Sequence, residues 1–162
     1  MFYLGAGTSG RLGVLDAAEC PPTFCSDPEL VQGVLAGGAP ALLRSSEGLE
    51  DLEQAGRDDL DRHGFQQGDC LVGIAAGGTT PYVRGGLSYA RSIGALAIAM
   101  ACVPKDQAPL PCDIDIRLLT GPELLTGSTR LKAGTATKMA LNLLNFFWWL
   151  LKYRNSPRHM MC

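Results

Sequence analysis

The stretch that most constrains this chain is Tyr3 to Arg11, YLGAGTSGR, where one short apolar run meets a glycine-rich turn. Phe2, Tyr3 and Leu4 read as a strand. Gly5-Ala6-Gly7 then turns with almost no side-chain bulk, and Thr8 and Ser9 bring hydroxyls to a point where Leu12 to Ala18 reads as a helix. A strand passing through small residues into a helix start makes an anion site, because unpaired N–H groups and the positive end of the helix dipole meet there. Phosphate is the expected guest. The spacing of Gly5, Gly7 and Gly10 also fits the dinucleotide pattern GxGxxG, but no acidic residue ends a second strand about twenty residues on. A tight strand-to-helix turn with no ligand is the plain alternative.

Similar punctuation recurs down the chain. Apolar runs at Leu30–Leu35, Cys70–Ala76, Ala95–Val103 and Ile114–Leu119 read as four more strands, and helical patterns fall at Leu49–Arg62, Tyr82–Ile93 and Thr129–Tyr153. The pair Pro21-Pro22 is expected to stop the first helix. Strands alternating with helices predict an α/β fold: a three-layer αβα sandwich around a five-stranded parallel, doubly wound sheet with right-handed crossovers. Ligands in such sheets sit at the carboxyl ends of the strands, where the order reverses. The turns Gly5–Gly10, Ala36–Gly38, Gly77–Thr80 and Gly127–Thr129 all fall at that edge.

A chain of 162 residues with 46% hydrophobic content can bury one core. Its net charge of -2 and scattered basic residues argue against a nucleic-acid surface. Six cysteines without CxxC or zinc spacing read as reduced thiols, and no metal site is expected. No signal peptide is read before Tyr3, and the longest apolar run, Met139 to Leu151, carries Asn142 and Asn145 and is too short for a membrane span. It reads as a buried helix. The expectation is one domain over residues 1–154 with a frayed tail at 155–162, in the cytoplasm and away from membranes.

The segments Tyr3–Phe24 (YLGAGTSGRLGVLDAAECPPTF), Glu47–Asp51 (EGLED), Gly73–Val83 (GIAAGGTTPYV) and Gly121–Asn142 (GPELLTGSTRLKAGTATKMALN) together resemble the N-acetylmuramic acid 6-phosphate etherases, of the sugar isomerase (SIS) fold group. The resemblance implies a flavodoxin-like SIS domain and a lyase that splits the D-lactyl ether of its phosphosugar, leaving N-acetylglucosamine 6-phosphate and D-lactate. It implies no cofactor and a small-molecule phosphosugar as partner, and exposed apolar surface on the last helix would favour association with a second subunit, as a homodimer. Opening the sugar ring acidifies the C2 proton beside the aldehyde, a base removes it, lactate leaves from C3 with acid assistance, and water adds back.

Two carboxylates are carried over as catalytic, Glu19 and Glu50. On residues alone, Glu50 could equally be a solvated carboxylate among Glu47, Asp51 and Glu53, and Glu19 a surface charge at a helix end. Phosphate and sugar binding is carried over to Gly7, Thr8, Ser9, Gly10 and Arg11, to Gly78, Thr79 and Thr80, and to Ser128, Thr129, Arg130 and Lys132. Arg130 and Lys132 put positive charge at a helix start, which a bound anion would relieve. The third turn here reads Gly77-Gly78-Thr79-Thr80, where relatives have serine-glycine-arginine-threonine, so a hydroxyl and a guanidinium are missing. Relatives also carry helical segments before the first strand and after the last helix. A non-catalytic sugar-phosphate sensor similar to the glucokinase regulatory protein is the alternative reading.

Overall fold

Strand β1 (Phe2–Gly5) is buried along its whole length, which an apolar run achieves when both faces of its sheet are covered. The computed structural model describes residues 1–45 and 48–153 and places β1 inside a five-stranded, all-parallel sheet. The other strands are β2 (Gln32–Leu35), β3 (Cys70–Ile74), β4 (Leu96–Ala101) and β5 (Ile114–Arg117), in the order β2-β1-β3-β4-β5. Helix α1 (Gly7–Phe24) follows β1; α2 (Pro40–Leu43) and α3 (Glu53–Arg62) separate β2 from β3; α4 (Pro81–Ser92) follows β3; and α5 (Lys132–Tyr153) closes the fold. The winding reverses between β1 and β3. The expected doubly wound αβα sandwich is the fold observed.

The two-residue period of the strands sorts the core into two layers. Phe2 and Leu4 of β1, Leu71 of β3 and the small Ala97, Ala99 and Ala101 of β4 pack under Leu60 of α3 and Val83 and Leu87 of α4. Tyr3, Val72, Ile74, Ile98 and Met100 point the other way, toward Ala17 and Cys20 of α1 and Leu141 of α5. Helix α4 lies so close to the sheet that a Cβ on Gly73 would stand 2.8 Å from the Leu87 Cγ.

Strand positions follow the sequence to within a few residues, but the helices depart from it in three ways. First, α1 runs through Pro21 and Pro22 to Phe24. In the last turn the prolines withdraw only the N–H groups that would have served Ala17 and Ala18, and Phe24 is held in place by stacking on Trp149 of α5, ring centroids 5.5 Å apart. Second, Glu50 does not open a helix; it lies in a 3-10 turn, Leu49–Asp51, ahead of α3. Third, α5 is buried on one side only: Met139, Leu143, Phe147 and Leu151 are exposed. Cys20, Cys70, Cys102 and Cys112 carry free thiols as expected, whereas Cys25 is disulfide-bonded. The proposed tail, 155–162, lies outside the described residues, as does Glu47.

The start of α5 has its own anion. The Glu123 carboxylate accepts the backbone N–H groups of Lys132 (3.0 Å) and Ala133 (2.9 Å). These two bonds, Ala133 first, hold the Glu123 carboxyl below its ordinary range. The charge conflict expected of a cation at this helix start is relieved inside the chain, and the Lys132 ammonium itself donates to the Thr120 carbonyl at 2.9 Å.

This packing has two measurable consequences for stability. A Cβ added at Gly10 would overlap the Gly5 carbonyl and the Leu35 side chain; Gly10→Ala is expected to cost about 1–3 kcal/mol in urea unfolding, as overpacking does. Glu123→Gln should lower the melting temperature at pH 7. Because the folded-state pKa of Glu123 is depressed, its stabilisation is present above the unfolded value of 4.5 and disappears as pH falls through the lower folded value. The melting curves of parent and variant should therefore converge in acid; a gap that persists there would show that the carboxylate charge is not what caps α5.

Candidate functional site

Ala6, in extended conformation, precedes α1 and offers no capping side chain. The first helical bond is made by the Gly10 N–H to the Ala6 carbonyl, at 3.3 Å. The N–H groups of Gly7, Thr8 and Ser9 are thus left without helical acceptors at the positive end of an 18-residue helix. Gly7 has φ +53, and nothing lies within 4 Å of where a Cβ would be, so glycine is required there for its backbone and not for space. Gly5 and Gly10 do the opposite work. A Cβ on Gly5 would stand 2.6 Å from the Gly10 nitrogen, so helix and strand backbones touch.

Above this turn, at the reversal of strand order, lies a cleft of about 220 Å³. Gly7, Thr8 and Ser9 line one side. Glu50 enters from the 3-10 turn, Ala76, Gly77 and Thr80 from the end of β3, and Thr129 from the approach to α5. Glu50 is exposed to solvent within it. The cleft therefore offers backbone N–H groups, three threonine hydroxyls, one serine hydroxyl and one carboxylate, with no lysine or arginine among its lining residues. That set can hold an anion at the helix start and present a carboxylate to the rest of the molecule.

Sequence reasoning named fourteen residues, and this cleft gathers six: Gly7, Thr8, Ser9, Glu50, Thr80 and Thr129. Gly10 is buried as the packing partner of Gly5. The Arg11 guanidinium donates to the carbonyls of Ala41 (2.9 Å) and Arg44 (3.3 Å), tying α1 to the end of α2. Gly78, with φ +71, is buried beneath Ala108, and Thr79 is exposed outside the cleft. The Ser128 N–H closes a turn onto Leu125, and Lys132 is turned to Thr120. Arg130 lines a neighbouring groove with Thr8 and Lys138.

Glu19 stands apart. It lies twelve residues into α1, roughly 18 Å along the axis from Gly7, and opens on a separate cavity of about 260 Å³ between α1 and α5. One turn before it, Asp16 is only 4% exposed and anchors a polar network that sequence reading did not find. Its carboxylate receives the Lys138 ammonium (2.8 Å) and the Asn145 amide, and Asn145 in turn accepts the Tyr3 hydroxyl at 2.9 Å. Burial, then the Asp16 charge, push the Cys20 thiol up to about 11. The partners of Asp16 on α5 are more than 120 residues away in sequence, so only α5 lying on α1 brings them together. Asp16, Lys138 and Glu123 take up these roles with no local signal in the sequence.

Comparison with known proteins agrees with this architecture. The profile of the glucokinase regulatory protein N-terminal SIS domain matches residues 1–91. Proteins named N-acetylmuramic acid 6-phosphate etherase are 96% identical in Synechococcus sp. (strain CC9902) and 91% identical in Parasynechococcus marenigrum (strain WH8102), each over 145 residues that make up 90% of this chain. The chain spans about half the length of these relatives, 46%. Among solved structures, a ligand complex of an E. coli CFT073 protein superposes with a TM-score of 0.67 at 16% identity, covering 96% of this chain and 71% of that one. The phosphoheptose isomerase of Neisseria gonorrhoeae does so at 0.52 and 16%, covering 91% and 74%, and both likenesses bear on the fold alone. The chain belongs to the SIS-domain family of the glucokinase regulatory protein's N-terminal domain, and over 145 residues it is similar to proteins named N-acetylmuramic acid 6-phosphate etherase.

Proposed function

We propose that residues 1–154 form one sugar-phosphate-binding domain of a lyase that cleaves the D-lactyl ether of N-acetylmuramic acid 6-phosphate. The observation that carries this reading is the cleft at the switch point, where a carboxylate, Glu50, shares a small space with the open N–H groups of α1. Relatives named as etherases at 65–96% identity support the enzyme over the regulatory alternative.

The phosphate rests on the Gly7, Thr8 and Ser9 N–H groups, with the hydroxyls of Thr8, Ser9, Thr80 and Thr129 around it. Backbone donors at a helix start suit a dianion and require no lysine or arginine. With the sugar ring open, the Glu50 carboxylate takes the proton from C2. The C3–O bond then breaks, an acid protonates the departing lactate oxygen, and water restores a hydroxyl at C3 with a proton at C2. Each proton transfer of this kind contributes on the order of 10²–10⁴-fold in rate.

Glu19 is proposed as the second acid–base group, and the distance sets a condition on it. At roughly 18 Å along α1 from Gly7 it is beyond one hexose seated in the same chain's cleft. It reaches that sugar only from a second copy of the chain, so the two-glutamate mechanism and a homodimer stand or fall together. The exposed apolar residues of α5, Met139, Leu143, Phe147 and Leu151, are consistent with a second copy. No helix among the described residues is long and apolar enough to cross a membrane, and we propose that the enzyme works in the cytoplasm on a soluble sugar phosphate.

D-lactate release from N-acetylmuramic acid 6-phosphate tests the reading. Glu50→Gln and Glu19→Gln are each expected to lower the rate by about 10²–10⁴-fold, and mixing the two inactive variants after joint refolding should restore part of it. Absence of lactate from the parent chain would count against the lyase. Activity lost in both variants but never restored by mixing would refute the shared site.

A further inference from the structure

No lysine or arginine lines the cleft, yet two cations line the groove that shares Thr8 with it. Arg130 and Lys138 line a groove of about 340 Å³ together with Thr8, Leu12, Gly134 and Met139. Thr8 borders both spaces, and Thr129 of the cleft is the residue before Arg130. A Cβ on Gly134 would lie 3.4 Å from the Thr129 carbonyl oxygen and 3.5 Å from the Thr8 methyl. Helix α5 therefore closes on α1 at the border between cleft and groove, and the two spaces adjoin at Thr8.

The two cations are in different states. Lys138 is committed to Asp16 and Asn142. Arg130 is exposed and has no hydrogen bond or ion pair among the described residues, unlike Arg11, Arg62, Arg84 and Arg117. Beside Arg130, Leu12 and Met139 supply an apolar wall. A planar guanidinium next to a small apolar surface fits a carboxylate carried on a short hydrocarbon.

We propose that this groove is the subsite for the ether-linked 2-hydroxy acid of the substrate, with Arg130 forking its carboxylate and Leu12 and Met139 meeting its methyl group. The assignment rests on the activity proposed above. It makes Arg130 a specificity-determining residue that separates the ether-bearing phosphosugar from the same sugar with a free 3-hydroxyl, and it leaves the phosphate to the N–H groups of α1.

Calorimetric titration of N-acetylmuramic acid 6-phosphate and of N-acetylglucosamine 6-phosphate into a parent that carries Glu50→Gln, so that no substrate turns over, and into Arg130→Met and Arg130→Lys made in that parent tests it. The parent should bind the arm-bearing sugar more tightly. Arg130→Met should weaken that sugar on the order of tenfold or more, the usual loss of a charged hydrogen bond, and leave the sugar without the arm unchanged; Arg130→Lys should recover part of the difference. Equal weakening of both sugars would make Arg130 a phosphate ligand and overturn the proposal, as would no change in either. A parent chain that binds both sugars equally would overturn this subsite while leaving the phosphosugar reading in place. Binding of neither sugar would overturn both.

Discussion

The contact on which the rest depends is between two backbones. Gly5 ends β1 and Gly10 sits one turn into α1, so close that neither position has room for a methyl group. That approach fixes the direction in which α1 leaves the sheet, and with it the direction of its dipole and of three unpaired N–H groups. The glycine pattern that looks like a nucleotide fingerprint is thus divided in purpose. Its outer members permit packing, and its middle member, Gly7, permits the left-handed backbone that turns the N–H groups toward the crevice. The open N–H groups at this turn are a by-product of how tightly the first strand and helix join.

A second constraint holds the far wall of the site. Helix α5 enters from the end of the sequence and must be seated on α1 before Thr129 can face Thr8. Asp16 does much of this. It is buried, yet it holds Lys138 and Asn145 of α5, and through Asn145 the hydroxyl of Tyr3 in the sheet. A buried carboxylate without partners is costly, so the network favours one register of α5 over others that would bury the same apolar surface. The Tyr3 hydroxyl is held well above its ordinary pKa by burial and then by the Asp16 charge, which keeps it a neutral donor.

What was legible in the sequence follows from range. Strand runs, their glycine endings and the uncapped start of α1 are written in neighbouring residues, and all five strands lie within a few residues of where the pattern puts them. The grouping of Glu50 with Thr8, Thr80 and Thr129 came from the resemblance and from the rule that such turns share one sheet edge. Other features depend on partners far away in sequence. Nothing near Glu123 marks it as the cap of a helix nine residues on, and nothing near Asp16 announces Lys138. Arg11 reads as a phosphate ligand by position, yet the carbonyls at the end of α2 claim it. Pro21 and Pro22 read as a stop because the rule is local, whereas Phe24 is held in the helix by Trp149, which no local rule can see.

The dual character of α5 has the same origin. Its sequence reads as a buried helix because apolar residues occur on every side. One chain satisfies only half of that surface: Leu141, Asn145 and the ring of Trp149 turn toward α1 and the sheet, while Met139, Leu143, Phe147 and Leu151 recur at spacings of four on the other side. A helix that needed only to close this fold would carry polar residues there. The inner stripe seats the helix whose first turn follows directly on Thr129 of the cleft and Arg130 of the neighbouring groove, and the outer stripe lies on the same helix. Anything that packs against the outer stripe therefore bears on Thr129 and Arg130 through one helix and the short turn that leads into it.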